Sequence, residues 1–187
     1  HLAAGDKDAE KLTIIESEAK RLETLLNEVR DFTRPAAPHI EARDINETVR
    51  ASLAVMRPAL EARGVEAAVD LDAALPPVPH DADHIKQVLL NLMKNAAEAM
   101  EQGGRLVVRT GARDGKVRLT IADTGGGIPE NMRSRVFDPF CTTKESGTGL
   151  GLAVCQRIVE DHHGDIRFVT DETGTTFTVE LPLSPPA

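Results

Sequence analysis

Asp123-Thr-Gly-Gly-Gly-Ile-Pro129 and Gly147-Thr-Gly-Leu-Gly-Leu152 are two glycine-rich segments, and Lys144 lies between them. An ionised Asp accepts hydrogen bonds from an exocyclic amine such as that of adenine. The glycines behind Asp123 let the backbone approach a flat ligand closely and adopt positive φ. The second segment opens a predicted helix whose free N–H groups favour phosphate, and Lys144 is a cation able to pair with a terminal phosphate. Earlier in the chain, Asn91 and Asn95 are four positions apart in a predicted helix and project from one face, beside the apolar stripe Ile85, Leu89, Leu92 and Ala96. An amide oxygen is a suitable hard ligand for Mg²⁺, which takes its remaining oxygens from water and substrate phosphates. Together these groups suit the two ends of a purine nucleotide, ATP–Mg²⁺ above all. Taken singly, each has a plainer reading: a turn aspartate, a solvated lysine, two solvent-facing asparagines, a glycine-rich helix start.

At 187 residues the chain amounts to one full-sized domain plus an appendage. An apolar content of 41% without any apolar run near the length of a membrane span predicts a soluble, cytoplasmic chain that makes no membrane contact. The net charge of −8 disfavours nucleic acid and bare anionic membrane as partners, but permits a phosphate site built from local amides and a metal ion. Cys141 and Cys155 form neither a CxxC pair nor a Cys/His cluster, so both are expected as reduced thiols, Cys155 in the core.

The elements that position these groups follow from periodicity. Leu12, Ile15, Ala19, Leu22, Leu26 and Val29 alternate at spacings of three and four in a heptad seam that ends at Pro35 and Pro38. A lone seam of this kind wants a partner helix. Ile45–Arg63 reads as a helix capped by Asp44 or Asn46, stopped by Gly64 and containing Pro58. Val65–Leu71 alternates as a strand; a proline-rich loop over Leu75–Pro79 then leads to Asp81 or Asp83, either able to cap a long helix ending near Met100. Strands are predicted over Leu106–Thr110 and Val117–Ala122, a helix over Leu150–His163 ended by Gly164, and a final hairpin from Ile166–Val169 and Thr175–Leu181. This order predicts an α+β fold: a mixed, mainly antiparallel sheet with helices on one face, preceded by one long helix.

Asn91-x3-Asn95-Ala, Asp123-x-Gly-x-Gly, Phe137-x2-Phe140 and Gly147-x-Gly-x-Gly, in that order, resemble the N, G1, F and G2 boxes of sensor histidine kinases. These kinases belong to the wider ATPase superfamily shared with gyrase, Hsp90 and MutL. The resemblance covers about Asp44 to Leu183. The preceding helix, with Glu18-Ala-Lys-Arg-Leu-Glu23 and Asp31-Phe-Thr-Arg-Pro35, is similar to the second helix of that family's dimerisation hairpin, particularly in kinases of the nitrogen-regulation type. The resemblance implies a Bergerat-type two-layer α/β sandwich over residues 37–187 and half of a dimerisation and phosphotransfer hairpin over residues 1–36. It further implies that Asn95 holds Mg²⁺ while Asn91 orients metal-bound water or phosphate, and that Asp123 binds the adenine amine in a pocket shaped by Gly125 and Gly127. Gly147, Gly149 and Gly151 let a lid between Phe137 and Leu150 fold over the phosphates, Thr148 and Leu150 join them in binding the nucleotide, and Lys144 is at the γ end. The implied partners are ATP or ADP, the acceptor-histidine helix of the intact kinase and the receiver domain of a response regulator, with the full-length kinase a homodimer.

In gyrase-like relatives a Glu takes the place of Asn91 and activates water, so Asn91 implies transfer to a histidine instead of hydrolysis. The family's acceptor box, a His followed by Glu or Asp and then Asn-Pro, is not found at His1, His39, His80, His84, His162 or His163. His39 and His80 are expected as surface residues, His84 as solvated, and His162 and His163 as helix-end residues whose positive charge the dipole favours. The chain is therefore expected to be a fragment that binds ATP–Mg²⁺ without phosphorylating itself. The rival readings are a clamp ATPase of the gyrase or MutL kind, for which Glu98 lies too far from Asn91, an anti-sigma-type serine kinase, and a nucleotide-holding scaffold.

Overall fold

The computed structural model describes residues 37–144 and 147–184, together with the separate positions Lys11, Leu12, Ile15, Glu16, Glu18, Ala19, Leu22, Glu23 and Leu26. The chain divides into two units, His1–Ala36 and Ala37–Ala187. In the first, every described position is helical, and Leu12, Ile15, Leu22 and Leu26 are all more than half exposed. Val29 and Pro35 of the expected seam lie outside the described residues.

The second unit opens with strand β1 (Glu41–Arg43) and helix α1 (Ile45–Glu61). Asp44 caps this helix by accepting from the Asn46 N–H at 2.8 Å, and Gly64, at φ 66, closes the turn after it. Strand β2 (Val65–Leu71) and the short β3 (Val78–His80) lead to helix α2 (Ala82–Ala99). Of the two candidate caps, Asp81 is the one used: its Oδ1 accepts from the Asp83 and His84 N–H groups at 3.0 and 3.1 Å. Strands β4 (Gly104–Arg113) and β5 (Lys116–Asp123) form a hairpin, followed by the single turn α3 (Glu130–Arg133), helix α4 (Gly151–Asp161) and the hairpin β6 (Asp165–Asp171) and β7 (Gly174–Pro182).

The main sheet has five strands in the order β2-β4-β5-β7-β6. Only β2 and β4 run parallel; the other pairs are antiparallel. Alternation sorts the strand residues: Leu106, Val108, Leu119, Ile121, Phe177 and Val179 are buried against the helices, while Arg109, Arg118, Thr120 and Thr178 take the opposite face. From the helices, Ile45, Val49, Ile85, Leu89, Leu92, Met93, Cys155 and Val159 complete the core. α2 packs between α1 and α4, so the helix carrying both asparagines is the central one of its layer.

Three histidines depart from expectation. His80 is wholly buried: Nδ1 donates to the Val78 carbonyl at 2.8 Å, and Nε2 accepts from the Thr48 hydroxyl at 3.0 Å. His162 is also buried, donating from Nδ1 to the Ile158 carbonyl at 2.7 Å and accepting at Nε2 from the Asp81 N–H at 3.0 Å. Each ring is thus a neutral tautomer with both nitrogens used, and burial pushes both below the usual histidine range. His162 is a brace between the end of α4 and the start of α2, not a cation on a helix dipole. His84, expected to be solvated, has a side chain only 23% exposed, 3.4 Å from Asp81 Oδ2 and edge-on to the His162 ring. The left-handed residue that closes α4 is His163, at φ 57, instead of the expected Gly164. The three-residue pairing of β1 with β3 adds a second, small sheet where only a loop was predicted.

Candidate nucleotide site

The site is assembled from a strand end, one helix face and a helix start. β5 ends on Asp123, whose Oδ1 accepts from the Gly125 N–H at 2.9 Å and from the Thr175 N–H at 3.2 Å. Among the described residues no donor is placed on Oδ2, and none of them holds a buried polar side-chain atom without a partner, so this oxygen is open to solvent. One oxygen is locked and the other is available. Burial pushes the carboxyl pKa up, against the lowering effect of the two N–H donors. An anion that has lost some hydration is a stronger acceptor for an incoming amine.

The loop after Asp123 is seated on the end of α2. A Cβ on Gly125 would lie 2.7 Å from both the Cβ and the carbonyl oxygen of Ala99, so the close approach of loop to helix requires glycine here. Gly127, at φ 72, meets the Asp171 carbonyl, and the Ile128 N–H donates to Thr170 Oγ1 at 2.9 Å. The β6–β7 hairpin thus buttresses this loop. Sequence reading identified the hairpin but not this role, since nothing local to Thr170 or Thr175 signals a contact with residues some fifty positions away.

On α2, Asn91, Asn95 and Glu98 share one half-buried stripe. Asn91 Nδ2 donates to the Gly151 carbonyl at 3.3 Å, tying α2 to the first residue of α4. Asn95 Oδ1 faces the Lys144 ammonium at 3.5 Å, and the same ammonium pairs with Glu98 Oε2. The Asn95 amide oxygen, directed at a cation, is a hard-oxygen donor of the kind Mg²⁺ takes.

α4 starts without a side-chain cap, so the first-turn N–H groups have no internal acceptor and suit an anion. Leu150, fully buried, anchors this end in the core, and Thr148 Oγ1 accepts from the Leu150 N–H at 3.2 Å. Between β5 and α4 lies the segment expected to act as a lid. Phe137 rests edge-on against Phe168 at 6.0 Å, and the Phe140 N–H donates to the Gly149 carbonyl at 3.0 Å. Gly149 has φ 69, and a Cβ there would come within 2.5 Å of the Phe140 carbonyl carbon, so this crossing admits only glycine. The Gly147 N–H donates to the Lys144 carbonyl at 3.1 Å, and Glu145 and Ser146 are outside the described residues. The structure therefore brings Asn91 to Gly151 and Asn95 to Lys144, and seats Gly125 on Ala99 in the last turn of the same helix, with Asp123 bonded to Gly125 and Gly127 held against the β6–β7 hairpin. Glu98 was discounted in the sequence as too distant to serve as a base; its partner Lys144 is 46 positions away.

Among the described residues no helix is long and apolar enough to cross a membrane. Residues 80–185 match the family described as histidine kinase-, DNA gyrase B- and HSP90-like ATPase. The chain is 37% identical over 182 residues to the signal transduction histidine-protein kinase AtoS of Escherichia coli strain K12, covering 94% of this chain and 29% of AtoS. Its fold matches full-length ShkA in complex with AMPPNP at a TM-score of 0.84 and 30% identity, over 95% of this chain and 39% of that one. It also matches histidine kinase ThkA in complex with response regulator protein TrrA at a TM-score of 0.78 and 31% identity, over 92% of this chain and 50% of that one. The chain thus spans about half or less of the length of each of these proteins. With its four boxes on a sheet and helix layer shared with these kinases, the chain belongs to the histidine kinase-, DNA gyrase B- and HSP90-like ATPase family, on the sensor histidine kinase side of it.

Proposed function

We propose that this chain is the catalytic domain of a two-component sensor histidine kinase, binding ATP with Mg²⁺ and passing the γ-phosphoryl group to a histidine on another helix of the intact kinase. From there it is relayed to an aspartate of a response-regulator receiver domain, a partner of the kind that ThkA holds in its complex with TrrA. Asp123 Oδ2 accepts the adenine amine, and the loop through Gly125 and Gly127 shapes the base pocket. Asn95 Oδ1, already facing a cation, is the metal ligand, and Asn91 orients metal-bound water or phosphate. The lid from Gly147 through Thr148, Gly149, Leu150 and Gly151 covers the phosphates, and Lys144 pairs with the γ end. When bound, Mg²⁺ supplies charge neutralisation of the phosphate oxygens.

One observation carries the choice of transfer over hydrolysis. Asn91 is an amide that donates to the Gly151 carbonyl, and an amide cannot take a proton from water. The nucleophile must therefore bring its own basicity, as a neutral imidazole nitrogen does: it forms the bond to γ-phosphorus while the bond to the β–γ bridging oxygen breaks and ADP leaves with the electron pair. The parent kinase works on the cytoplasmic side as a homodimer, with residues 1–36 contributing to its dimerisation hairpin. Supplying a separate acceptor hairpin and γ-labelled ATP tests this. Acid-labile label on the hairpin's histidine is expected, with steady-state phosphate release at background; release without labelling overturns the proposal in favour of a clamp ATPase.

A further inference from the structure

Glu98 has no part in the nucleotide reading, yet it holds one of that reading's principal side chains. It lies three residues beyond Asn95 on the same stripe of α2. Lys144 reaches across from the lid so that its ammonium pairs with Glu98 Oε2 while facing Asn95 Oδ1 at 3.5 Å. The pair is partly sheltered, with the side chains 27% and 41% exposed. The other cation near Glu98 is Lys94, 4.0 Å from Oε1 and itself 59% exposed, a far weaker partner. A lysine thus lies over the amide oxygen assigned to the metal.

That arrangement has an electrostatic consequence. Lys144 cannot reach a terminal phosphate and remain on Glu98 and Asn95. If it leaves alone, a bare carboxylate is left beside a polyphosphate, and like charges a few ångströms apart repel even at the dielectric of water. A divalent cation bound with the phosphates, which Asn95 would hold, would offset that repulsion by its charge. Resting on the nucleotide reading above, we infer that Glu98 is a positioning residue that makes nucleotide binding depend on a divalent cation: it parks Lys144 over Asn95 and yields it only to a metal-loaded polyphosphate. The exchange is one cation for another, with no covalent step.

A calorimetric titration of AMPPNP, with excess Mg²⁺ and then with chelator, tests this on the wild type, Glu98→Gln and Glu98→Asp. Glu98→Gln is expected to raise metal-free affinity about fivefold to tenfold while changing metal-loaded affinity by less than about twofold, and Glu98→Asp to restore the wild-type preference for the metal complex. An unchanged preference in Glu98→Gln overturns the inference and leaves the nucleotide reading intact. Failure of the wild type to bind AMPPNP under either condition overturns both. Mn²⁺ without nucleotide gives a second readout. Lys144→Met is expected to bind it several-fold more tightly than the wild type, and the double variant Lys144→Met/Glu98→Gln to lose that gain; Mn²⁺ affinity that is the same in all three overturns the parked-lysine arrangement.

Discussion

The two ends of the site are built to different standards. At the base end, Asp123 terminates a strand hydrogen-bonded on both sides, its Oδ1 is held by two backbone N–H groups, and its loop is wedged between Ala99 and the β6–β7 hairpin. At the phosphate end, Lys144 and Phe140 are exposed, and the lid is tied down by a few local turns, one backbone crossing at Gly149 and an ion pair. The base end is held from several sides, and the described residues of the phosphate end have fewer ties. The difference fits a reaction in which the purine only has to be held, while the γ-phosphate must be covered, presented to an acceptor and released.

The largest expected effect comes from breaking the rigid end. In Asp123→Asn the remaining Oδ1 still accepts from Gly125 and Thr175, so the fold survives, but the group facing the adenine amine becomes a donor. Loss of a hydrogen bond to a charged acceptor predicts a drop in ATP affinity of roughly 10- to 150-fold, with the melting temperature essentially unchanged. Calorimetry together with a thermal melt checks it, and unaltered affinity would exclude the assigned pose. Breaking the less tightly tied end should cost less. Gly149→Ala forces a side chain into the left-handed region against the Phe140 backbone, a strain of about 1–2 kcal/mol. Because the lid is loosely tied, this is expected to appear as an affinity loss of about 5- to 30-fold instead of as global unfolding; a lowered melting temperature with normal affinity would show that the lid is as integral as the base end.

The smallest effect concerns the anchoring of α2, the helix shared by both ends. His80 and His162 are buried with their second nitrogens accepting hydrogen bonds, and burial lowers both pKa values. A lowered folded value means that the unfolded chain takes up protons first. Stability is therefore level above the ordinary histidine pKa of about 6.5 and declines as pH falls below it toward the folded values. A fall in melting temperature between pH 7 and pH 5 is expected. A melting temperature that stays constant over that interval contradicts the neutral, doubly bonded assignment.

What the sequence revealed and what it hid follow one division. Asn91 and Asn95 were legible because four residues return a helix to the same face, and Asp123 because an apolar strand stops at a carboxylate followed by glycines. The sheet's antiparallel character followed from two turn signals. Contacts made across the fold left no local trace. His80 looked like a loop residue after a run of prolines, and His162 like a helix-end cation, because only packing reveals that each fills a gap lined with complementary polar atoms. The support of Asp123 by Thr175, and the pairing of Lys144 with Glu98, each join segments that are strangers in sequence.

The one parallel pairing, β2 with β4, aligns Val65 with Gly104, and α2 lies within the intervening crossover. Antiparallel neighbours can zip from a turn, but this pair must first close a long loop, which makes it a late and slow contact in assembly. Asn91 and Asn95, the amides proposed to bind the polyphosphate, lie in that crossover, so they are expected to reach their final places together with the docking of the edge strand. A chain arrested during folding can form the β4–β5 hairpin with its carboxylate and still have no grip on a nucleotide, so ligand capture reports completion of the whole layer.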